Sequence, residues 1–387
     1  MRLCIVPTSQ GKTEELVATK KAKSPNLSRY AAVAERLLFE DDPKRVFVSV
    51  KRQSKPKEGH QFIDLFAGAG GMSLGFEMAG FKAVSAVEVV DVAAETHRLN
   101  FPDCEVHCGD IAQYSAKKIA RKNNVRVVVG GPPCQGFSVA GKRDPNDPRN
   151  KLFREFVRVV DEVKPDYFVM ENVPGILTMQ QGKVKEAILE AFAEIGYKDV
   201  SIAVLEAASF GVPQLRSRAI FIGNRKGLSN PFPAPILNRE NYVAIEDAIS
   251  DLPEWDRLPE INHEWTKHSK DFTKRISKVK PGESLYPTFL DAYKRQYIGV
   301  PSMTIKENHG GTHIHPTLDR CISAREMARL QSFPDRFIFS GSMKKAMWQI
   351  GNAVAPLMAR SIALALTPFL DAIDSDSEPK YVKGQPL

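Results

Sequence analysis

The chain has few cysteines and no long apolar run. Its 387 residues include five cysteines, an odd number at irregular spacing, which excludes the disulfide framework of a small secreted protein. No signal peptide is recognisable, so free thiols in a reducing cytosol are expected. No apolar run approaches the roughly 18 residues needed to cross a bilayer, so no membrane partner is expected.

The sequence also lacks a recognisable metal site. Cys104 and Cys108 flank His107, but no second Cys/His pair follows at the spacing of a zinc site. A group of histidines in a Gly- and Thr-containing loop has no carboxylate or cysteine at ligand spacing: His309, His313 and His315. No metal is predicted.

Acidic residues are in the minority. Lys and Arg number 54 against 46 Asp and Glu, which gives a formal net charge of +8. Such an excess favours a polyanionic partner such as nucleic acid. Residues 1–59 hold 13 Lys and Arg against 7 Asp and Glu, so much of the excess lies in this N-terminal segment. The segment is either a mobile basic extension or an additional nucleic-acid contact, and the sequence leaves both open.

From Phe62 onward the chain repeats a strand, a turn and a helix. Short apolar strands are predicted over 62–66, 83–87, 105–107, 125–129, 167–170 and 219–222. Apolar stripes at helical spacing lie between them, and the apolar helix Pro356 to Leu370 closes the folded part before a disordered tail over 373–387. Strands that alternate with helices predict an α/β fold with a mainly parallel sheet covered on both faces.

After Gly223 the composition and the periodicity of the sequence change. Prolines interrupt the chain repeatedly between 231 and 301, and helical periodicity fades. Basic residues alternate with Trp265, Phe272 and Tyr286. The stretch is predicted to be a separate domain, either a nucleic-acid reader or simply an irregular, solvated one.

A glycine turn follows the first strand of the repeat. The run Phe66-Ala67-Gly68-Ala69-Gly70-Gly71 lies between a strand and a helix, where glycine lets a ligand approach the backbone. Glu88 ends the next strand, where an acid can accept hydrogen bonds from ribose hydroxyls. Ser73 replaces the third glycine of the dinucleotide fingerprint, which counts against a pyrophosphate cofactor. Asp110 follows a further strand and either contacts an adenine amino group or only starts a loop.

One thiol stands at the carboxyl end of a buried strand. Gly130-Gly131-Pro132-Pro133-Cys134 follows the apolar run 125–129, and ligands bind at this edge of open α/β sheets. Glu171 emerges at the same edge after the strand 167–170. A thiol and a carboxyl that converge there suit nucleophilic attack assisted by an acid. Arg216 and Arg218 would point to one side of an extended chain and could grip a carbonyl oxygen or a phosphate. An inert thiol, an ion-paired Glu171 and solvated arginines are the alternative readings.

Taken in order, these motifs resemble the DNA (cytosine-5) methyltransferase family. The resemblance covers about residues 60–372. It rests on six segments: 62–71, 131–138, Glu171-Asn172-Val173, Gln214-x-Arg216-x-Arg218, 325–335 and Gly351-Asn352-Ala353-Val354. Ala355 stands where the family usually has proline.

The resemblance implies a Rossmann-like fold that uses S-adenosylmethionine. The adenine would lie near Phe66, Asp110 and Ile111, and the ribose would meet Glu88. The implied cofactor site is completed by Ala67, Gly68, Gly70, Gly71, Pro133, Leu152, Asn352 and Val354.

The resemblance also implies a flipped-out cytosine as the target. Cys134 would attack C6, Glu171 would contact N3 and the amino group, and Arg218, with Arg216, would complete the catalytic set on the O2 side. Duplex DNA would be the partner of a monomeric enzyme, and a loop over 135–151 would close on it. The residues implied in DNA contact are Gln135, Ser138, Lys142, Arg143 and Arg149.

The resemblance also divides the chain. Residues 1–59 would be a basic extension, 60–245 and 324–372 the catalytic domain, 246–323 a smaller irregular target-recognition domain, and 373–387 the tail. By family analogy the enzyme would modify DNA in the cytoplasm of a prokaryote, associated with the nucleoid. A restriction endonuclease would be its functional, not physical, partner.

Three other functions are weighed against this one. The same fold acts on tRNA in one branch of the family, but that branch has a shorter substrate region than the proline-rich 246–323 stretch. A dinucleotide-dependent oxidoreductase fits poorly with Ser73 and with the Pro-Pro-Cys loop. A non-catalytic DNA-binding relative is disfavoured because Cys134, Glu171 and Arg218 are all present.

Overall fold

The computed structural model describes residues 42–50, 59–133, 151–286, 293–306 and 313–386. In chain order its strands are Arg45–Val48 (β1), Gln61–Leu65 (β2), Lys82–Glu88 (β3), Glu105–Cys108 (β4), Val125–Gly130 (β5), Tyr167–Asn172 (β6), Asp199–Glu206 (β7), Ser217–Asn224 (β8), Asn230–Pro233 (β9), Lys294–Arg295 (β10) and His313–Ile314 (β11). Its α-helices are Gly71–Met78 (α1), Asp91–Asn100 (α2), Ala116–Lys122 (α3), Lys151–Val163 (α4), Lys183–Glu194 (α5), Ile245–Ile249 (α6), Lys270–Ile276 (α7), Ala324–Leu330 (α8), Met343–Asn352 (α9) and Pro356–Ser375 (α10).

Seven strands form the central sheet in the order β4-β3-β2-β5-β6-β8-β7. The first five are parallel, and β8 runs antiparallel to both β6 and β7. Leu65 pairs with Gly130, and Gly130 pairs with Met170. The carboxyl ends of β2, β5 and β6 therefore lie side by side at one edge, as the strand pattern predicts.

Helices cover both faces of this sheet. One core contains α1, α8, α9 and α10 together with Phe62 and Val129, and the other contains α4 and α5 together with Ile63 and Val128. Burial on both faces explains why β5 is apolar almost throughout. Arg126 is the exception in β5, and it pairs with Asp166 and Asp374.

The structure differs from the predicted domain division at both ends. Within the segment 1–59, β1 pairs in parallel with β9, and Val48 is fully buried in the core. Within the predicted disordered tail, the amide of Gly384 donates to Phe47 O at 2.8 Å, and the amide of Ser49 donates to Val382 O at 2.8 Å. The described residues of these two stretches, 42–50 and 373–386, therefore belong to the folded body, where residues 47–49 pair with 382–384, an interaction that the sequence does not reveal. The apolar pattern of the sequence also predicts a helix over 31–38, and this stretch lies outside the described residues.

The expectation about membrane-length segments is also corrected. The stretch Met343–Ser375, which contains α9 and α10, is long and apolar enough to cross a bilayer by length and composition alone. Of its most apolar window, 72% is buried inside the protein. Its apolar character is explained by packing against α1 and β9 in the core.

Where the structure describes the proline-rich region 246–323 (246–286, 293–306 and 313–323), its elements are short, as the composition predicts. A small apolar cluster around Ile276 and Ile314 forms its centre. One buried arginine organises the surrounding backbone: Arg295 donates to carbonyl oxygens of Ile276, Val279, His315 and Leu318, and pairs with Asp319. The guanidinium of Arg295 therefore holds these backbone segments together in a region where helices and strands are short.

Candidate active site

The glycine turn after β2 adopts left-handed backbone conformations. Phe66 has a φ of 56°, Gly68 of 55° and Gly70 of 96°. An added Cβ at Gly68 would have no neighbour within 4 Å, so this part of the turn faces open space. The turn is thus shaped to receive a ligand rather than to fill the core.

Glu88 at the end of β3 holds this turn in place. One carboxylate oxygen accepts from the amide of Gly68 at 2.8 Å, and the other accepts from the amide of Val90 at 2.8 Å. These bonds satisfy a carboxylate that is mostly buried. Glu88, which is predicted to contact a ribose, is therefore fixed beside the glycine turn, which is predicted to bind the same ligand.

At Gly71, the glycine turn after β2 packs against Ala353 and Val354 of the last motif. A Cβ at this position would lie 2.2 Å from the carbonyl oxygen of Val354 and 3.2 Å from the Cβ of Ala353. No side chain fits this gap. The predicted cofactor residues at the two ends of the catalytic region therefore meet in space only because position 71 is glycine.

Gly71→Ala is expected to lower stability and to weaken S-adenosylmethionine binding together. The new methyl group must push away the backbone at Val354, and overpacking of this kind typically costs about 1–3 kcal/mol. Thermal unfolding and calorimetric titration measure the two effects. Gly227→Ala is the matched control, because its φ of 72° brings backbone strain while its added Cβ meets nothing within 4 Å. Equal cofactor affinity in the two variants would contradict the proposed contact.

Asp110 and Ile111 follow β4 at the same edge. The carboxylate of Asp110 accepts from the amide of Ala112 at 2.9 Å and starts a short 3-10 turn. Ile111 is buried, and its carbonyl oxygen accepts from Arg158 at 2.9 Å. Asp110 therefore starts the loop and also lines the cavity described next, and its contact with an adenine amino group stays a prediction.

A single cavity of about 950 Å³ joins the predicted cofactor residues to the predicted catalytic ones. Gly70 and Gly71 lie behind its wall, where they shape the turn. The predicted residues on the wall are Phe66, Ala67, Gly68, Glu88, Asp110, Ile111, Pro133, Leu152, Glu171, Arg216, Arg218, Asn352 and Val354. Sequence reasoning missed other residues of the wall, among them Asp64, Thr304, Lys306 and Trp348.

Asp64 is a buried acid beneath the glycine turn. Its carboxylate accepts from both the amide (3.1 Å) and the hydroxyl (2.7 Å) of Ser73, and that hydroxyl also contacts His97 Nε2 at 3.1 Å. Burial raises the pKa of Asp64 to about 7 and lowers that of His97 to about 4. Ser73, where the dinucleotide fingerprint has glycine, thus supplies the hydrogen bonds of this acid.

Asp64→Asn is expected to stabilise the ligand-free protein at neutral and alkaline pH. The unfolded carboxyl ionises near pH 4, whereas the folded one resists ionisation up to about pH 7. The wild type therefore loses stability across this window, by a few kcal/mol in total. The amide has no such loss and can still accept from Ser73. Urea unfolding between pH 4 and pH 8 tests this: the advantage of the variant should grow up to about pH 7 and then level off. A difference that does not change with pH would refute it.

Glu171 and Arg218 form an ion pair on the far side of the cavity. Arg218 Nε lies 2.6 Å from Glu171 Oε1, and both side chains are largely buried. A second nitrogen of Arg218 donates to the carbonyl oxygen of Ser217 at 2.8 Å. The pair arises from the sheet, because β6 and β8 are neighbours and Glu171 is paired with Ile220, two residues from Arg218.

The first residues of the Pro-Pro-Cys loop are held against this pair. Asn172 donates its side-chain amide to the carbonyl oxygen of Pro132 at 2.8 Å. A Cβ at Gly131 would lie 2.9 Å from Glu171 Oε2, so glycine allows close approach here. The described part of the loop ends at Pro133, which lines the same cavity as Glu171. Cys134 and the predicted DNA contacts lie outside the described residues: Gln135, Ser138, Lys142, Arg143 and Arg149.

Arg216 is held in place by backbone carbonyl oxygens, and its predicted contact with a substrate stays a prediction. Its guanidinium is buried and donates to the carbonyl oxygens of Ile305 (2.7 Å), Gly351 (3.0 Å) and Ala353 (3.1 Å). Arg216 precedes β8 and lines the same cavity as Arg218. Arg216 ties the segment before β8 to the segment that carries Asn352.

The sheet order, the glycine turn and the cavity at the carboxyl edge of the strands define a Rossmann-like methyltransferase fold. The model of the family described as C-5 cytosine-specific DNA methylase matches residues 60–367. The chain belongs to this family and is an enzyme, a DNA (cytosine-5) methyltransferase.

Individual relatives agree with this assignment. The chain is 43% identical over 323 residues to the type II methyltransferase M1.HphI of Haemophilus parahaemolyticus, with 79% of this chain and 86% of that protein covered. It is 34% identical over 357 residues to M.XorII of Xanthomonas oryzae, with 78% and 82% covered. A solved prophage-encoded protein of E. coli, described as a DNA modification methyltransferase, is 29% identical with a TM-score of 0.68 and covers 80% of this chain and 99% of its own.

Proposed function

We propose that this enzyme transfers a methyl group from S-adenosylmethionine to C5 of a cytosine flipped out of a specific duplex DNA sequence. The observation that carries the proposal is the single cavity that runs from the glycine turn and Glu88 to the Glu171–Arg218 pair. Such a cavity can hold a methyl donor and an extruded base at the same time. The type II relatives support a role as the modification enzyme of a restriction–modification system, acting in the cytoplasm where the chromosome lies.

The residues at one end of the cavity fit S-adenosylmethionine. The open turn at Gly68 admits a ligand close to the backbone, and Glu88 offers a fixed carboxylate to hydroxyl groups. Asp64 and Asp110 add acidic character without a phosphate cradle. S-adenosylmethionine supplies an electrophilic methyl group on a sulfonium centre, and an acidic wall suits that positive charge.

At the other end, we assign the cytosine to Cys134, Glu171 and Arg218. Cytosine becomes nucleophilic at C5 only when a group adds at C6, and a thiolate is suited to that addition. Glu171 would protonate N3 and so accommodate the charge that develops on the ring. Arg218 would hold Glu171 through its Nε and face the O2 side of the base. Gly131 and Asn172 would position the loop from which Cys134 attacks.

Transfer of a labelled methyl group tests the proposal directly. Purified wild-type protein with labelled S-adenosylmethionine is expected to label duplex DNA and not tRNA, and the label should appear as 5-methylcytosine. Bisulfite sequencing of plasmid DNA from a host that expresses the protein would then identify the sequence and the cytosine modified. Labelling of tRNA alone would favour the tRNA branch of the fold, and labelling of neither would refute the proposal.

A further inference from the structure

Glu206 is an acid close to the active site that neither the motifs nor the cavity wall includes. It ends β7 and is paired with Ser217, the first residue of β8. One carboxylate oxygen accepts from the amide of Arg216 at 2.6 Å, and the other accepts from the hydroxyl of Ser217 at 2.8 Å. Both oxygens thus act as acceptors toward the segment that carries the two arginines.

A continuous chain of contacts leads from Glu206 to the predicted acid. Glu206 fixes Ser217 through its hydroxyl. The carbonyl oxygen of Ser217 accepts from Arg218 at 2.8 Å, and Arg218 Nε contacts Glu171 at 2.6 Å. Each contact in this series joins one residue to the next. A displacement of Ser217 is therefore expected to move the guanidinium of Arg218, which pairs with Glu171.

The balance of charge in the site also depends on Glu206. Arg216 is buried, and its guanidinium donates to neutral carbonyl oxygens. The charges that favour its protonated form are those of Glu171 and Glu206, while Arg218 opposes it. The site therefore contains two arginines and two glutamates. Among the residues that the structure describes, Glu171 would be the one carboxylate left to favour the charge of Arg216 if Glu206 were neutral.

The groups around Glu206 come from three elements. Arg216 and Arg218 face it from β8 and the residue before it, and Tyr242 faces it from the segment before α6. Glu171 of β6 pairs with Arg218 on the side of the cavity. Burial raises the pKa of the Glu206 carboxyl, whereas its bonds to Ser217 and to the amides of Arg216 and Ala208 act in the opposite direction.

We propose that Glu206 is a positioning residue for the methyl transfer, which sets both the placement of Arg218 and the electrostatic potential at Glu171. This inference rests on the proposed function, because it needs Glu171 to act as a proton donor. Glu206 touches neither the base nor the methyl donor. Its effect reaches the reaction through Ser217 and Arg218, and through the balance of charge.

Three variants distinguish the effect of the Glu206 charge from the effect of its contact with Ser217. Glu206→Gln removes the charge, Glu206→Asp keeps the charge and shortens the side chain, and Ser217→Ala keeps the charge but breaks the link to the strand. Asp42→Asn is the matched control, since Asp42 also accepts from two backbone amides, of Lys44 and Arg45, far from the cavity. Each variant is assayed for unfolding temperature, S-adenosylmethionine affinity and single-turnover methyl transfer to DNA across pH.

Glu206→Gln is expected to bind S-adenosylmethionine normally and to transfer the methyl group roughly 10- to 100-fold more slowly. The pH at which its rate falls on the alkaline side should be lower than in the wild type, because a more positive site disfavours a protonated Glu171. Ser217→Ala should be slower without this change in the pH profile, and Glu206→Asp should restore the profile of the wild type. Asp42→Asn should behave as the wild type.

A wild-type rate and pH profile in Glu206→Gln would overturn the inference while leaving the proposed function intact. A slow Glu206→Gln with an unchanged pH profile would also overturn it, because the residue would then be structural only. If the wild-type chain itself transfers no methyl group to DNA, the proposed function fails, and this inference fails with it.

Discussion

Cys134→Ser is expected to abolish methyl transfer and to prevent covalent capture on DNA that contains 5-fluorocytosine. In the proposed reaction the thiolate stays bonded to C6 until the hydrogen at C5 leaves. Fluorine at C5 allows methyl transfer but blocks this elimination, so the wild-type protein should remain attached to the DNA through denaturing electrophoresis. A serine hydroxyl without a dedicated base is a far weaker nucleophile. The covalent band should therefore be absent in the variant, with S-adenosylmethionine present.

The other cysteines of the described residues make suitable controls because their thiolates are disfavoured. Burial raises the pKa of Cys104 and of Cys321 to about 12. The thiol of Cys108 donates to Asp91 at 3.0 Å, and this hydrogen bond raises its pKa. Cys108→Ser, the least buried of the three, should form the adduct normally. An adduct in Cys134→Ser, or its loss in a folded Cys108→Ser, would remove Cys134 from the centre of the mechanism.

Glu171→Gln should lower the rate of methyl transfer by about 10²–10⁴-fold, the usual loss when a well-placed general acid is removed. The amide keeps the shape of the side chain, and its oxygen can still accept from Arg218. It cannot donate a proton to N3. Single-turnover kinetics with saturating DNA measure the effect.

The affinity for S-adenosylmethionine provides the internal control for Glu171→Gln. The glycine turn and Glu88 are held by their own hydrogen bonds at the other end of the cavity, so binding of the methyl donor should be nearly unchanged. A variant that turns over at the wild-type rate would exclude Glu171 as the acid. A variant that also loses cofactor affinity would indicate that the cavity itself is disturbed.

Signals that are local in the sequence predict the fold well. The apolar run of β5 and the glycines after β2 indicate a strand and a turn without knowledge of any partner. Glu88 and Glu171 were predictable as site residues because each ends a strand, and strand ends of a parallel sheet share an edge. The strand β7 was not predicted, because its apolar pattern is short and both of its ends are charged.

Residues whose role depends on distant partners could not be predicted. Asp64 lies inside a strand and gains its role from Ser73 and His97, which the sequence does not bring near it. Asn172 acts on Pro132, 40 residues earlier. Glu206 contacts Ser217, which lies on the neighbouring strand. Each case requires the strand register, which periodicity alone does not give.

The contact between Gly71 and Val354 determines when during synthesis the enzyme can first act. Position 71 leaves the ribosome well before position 354, which lies 283 residues further along the chain. The nascent polypeptide can form β2 to β6 and their covering helices as they emerge, because domains generally begin to fold from the N-terminal side during translation. The wall of the cofactor cavity, however, stays incomplete until α9 and the residues after it are released. A chain that stops before position 354 lacks this contact, and we expect it to bind the methyl donor more weakly than the full chain.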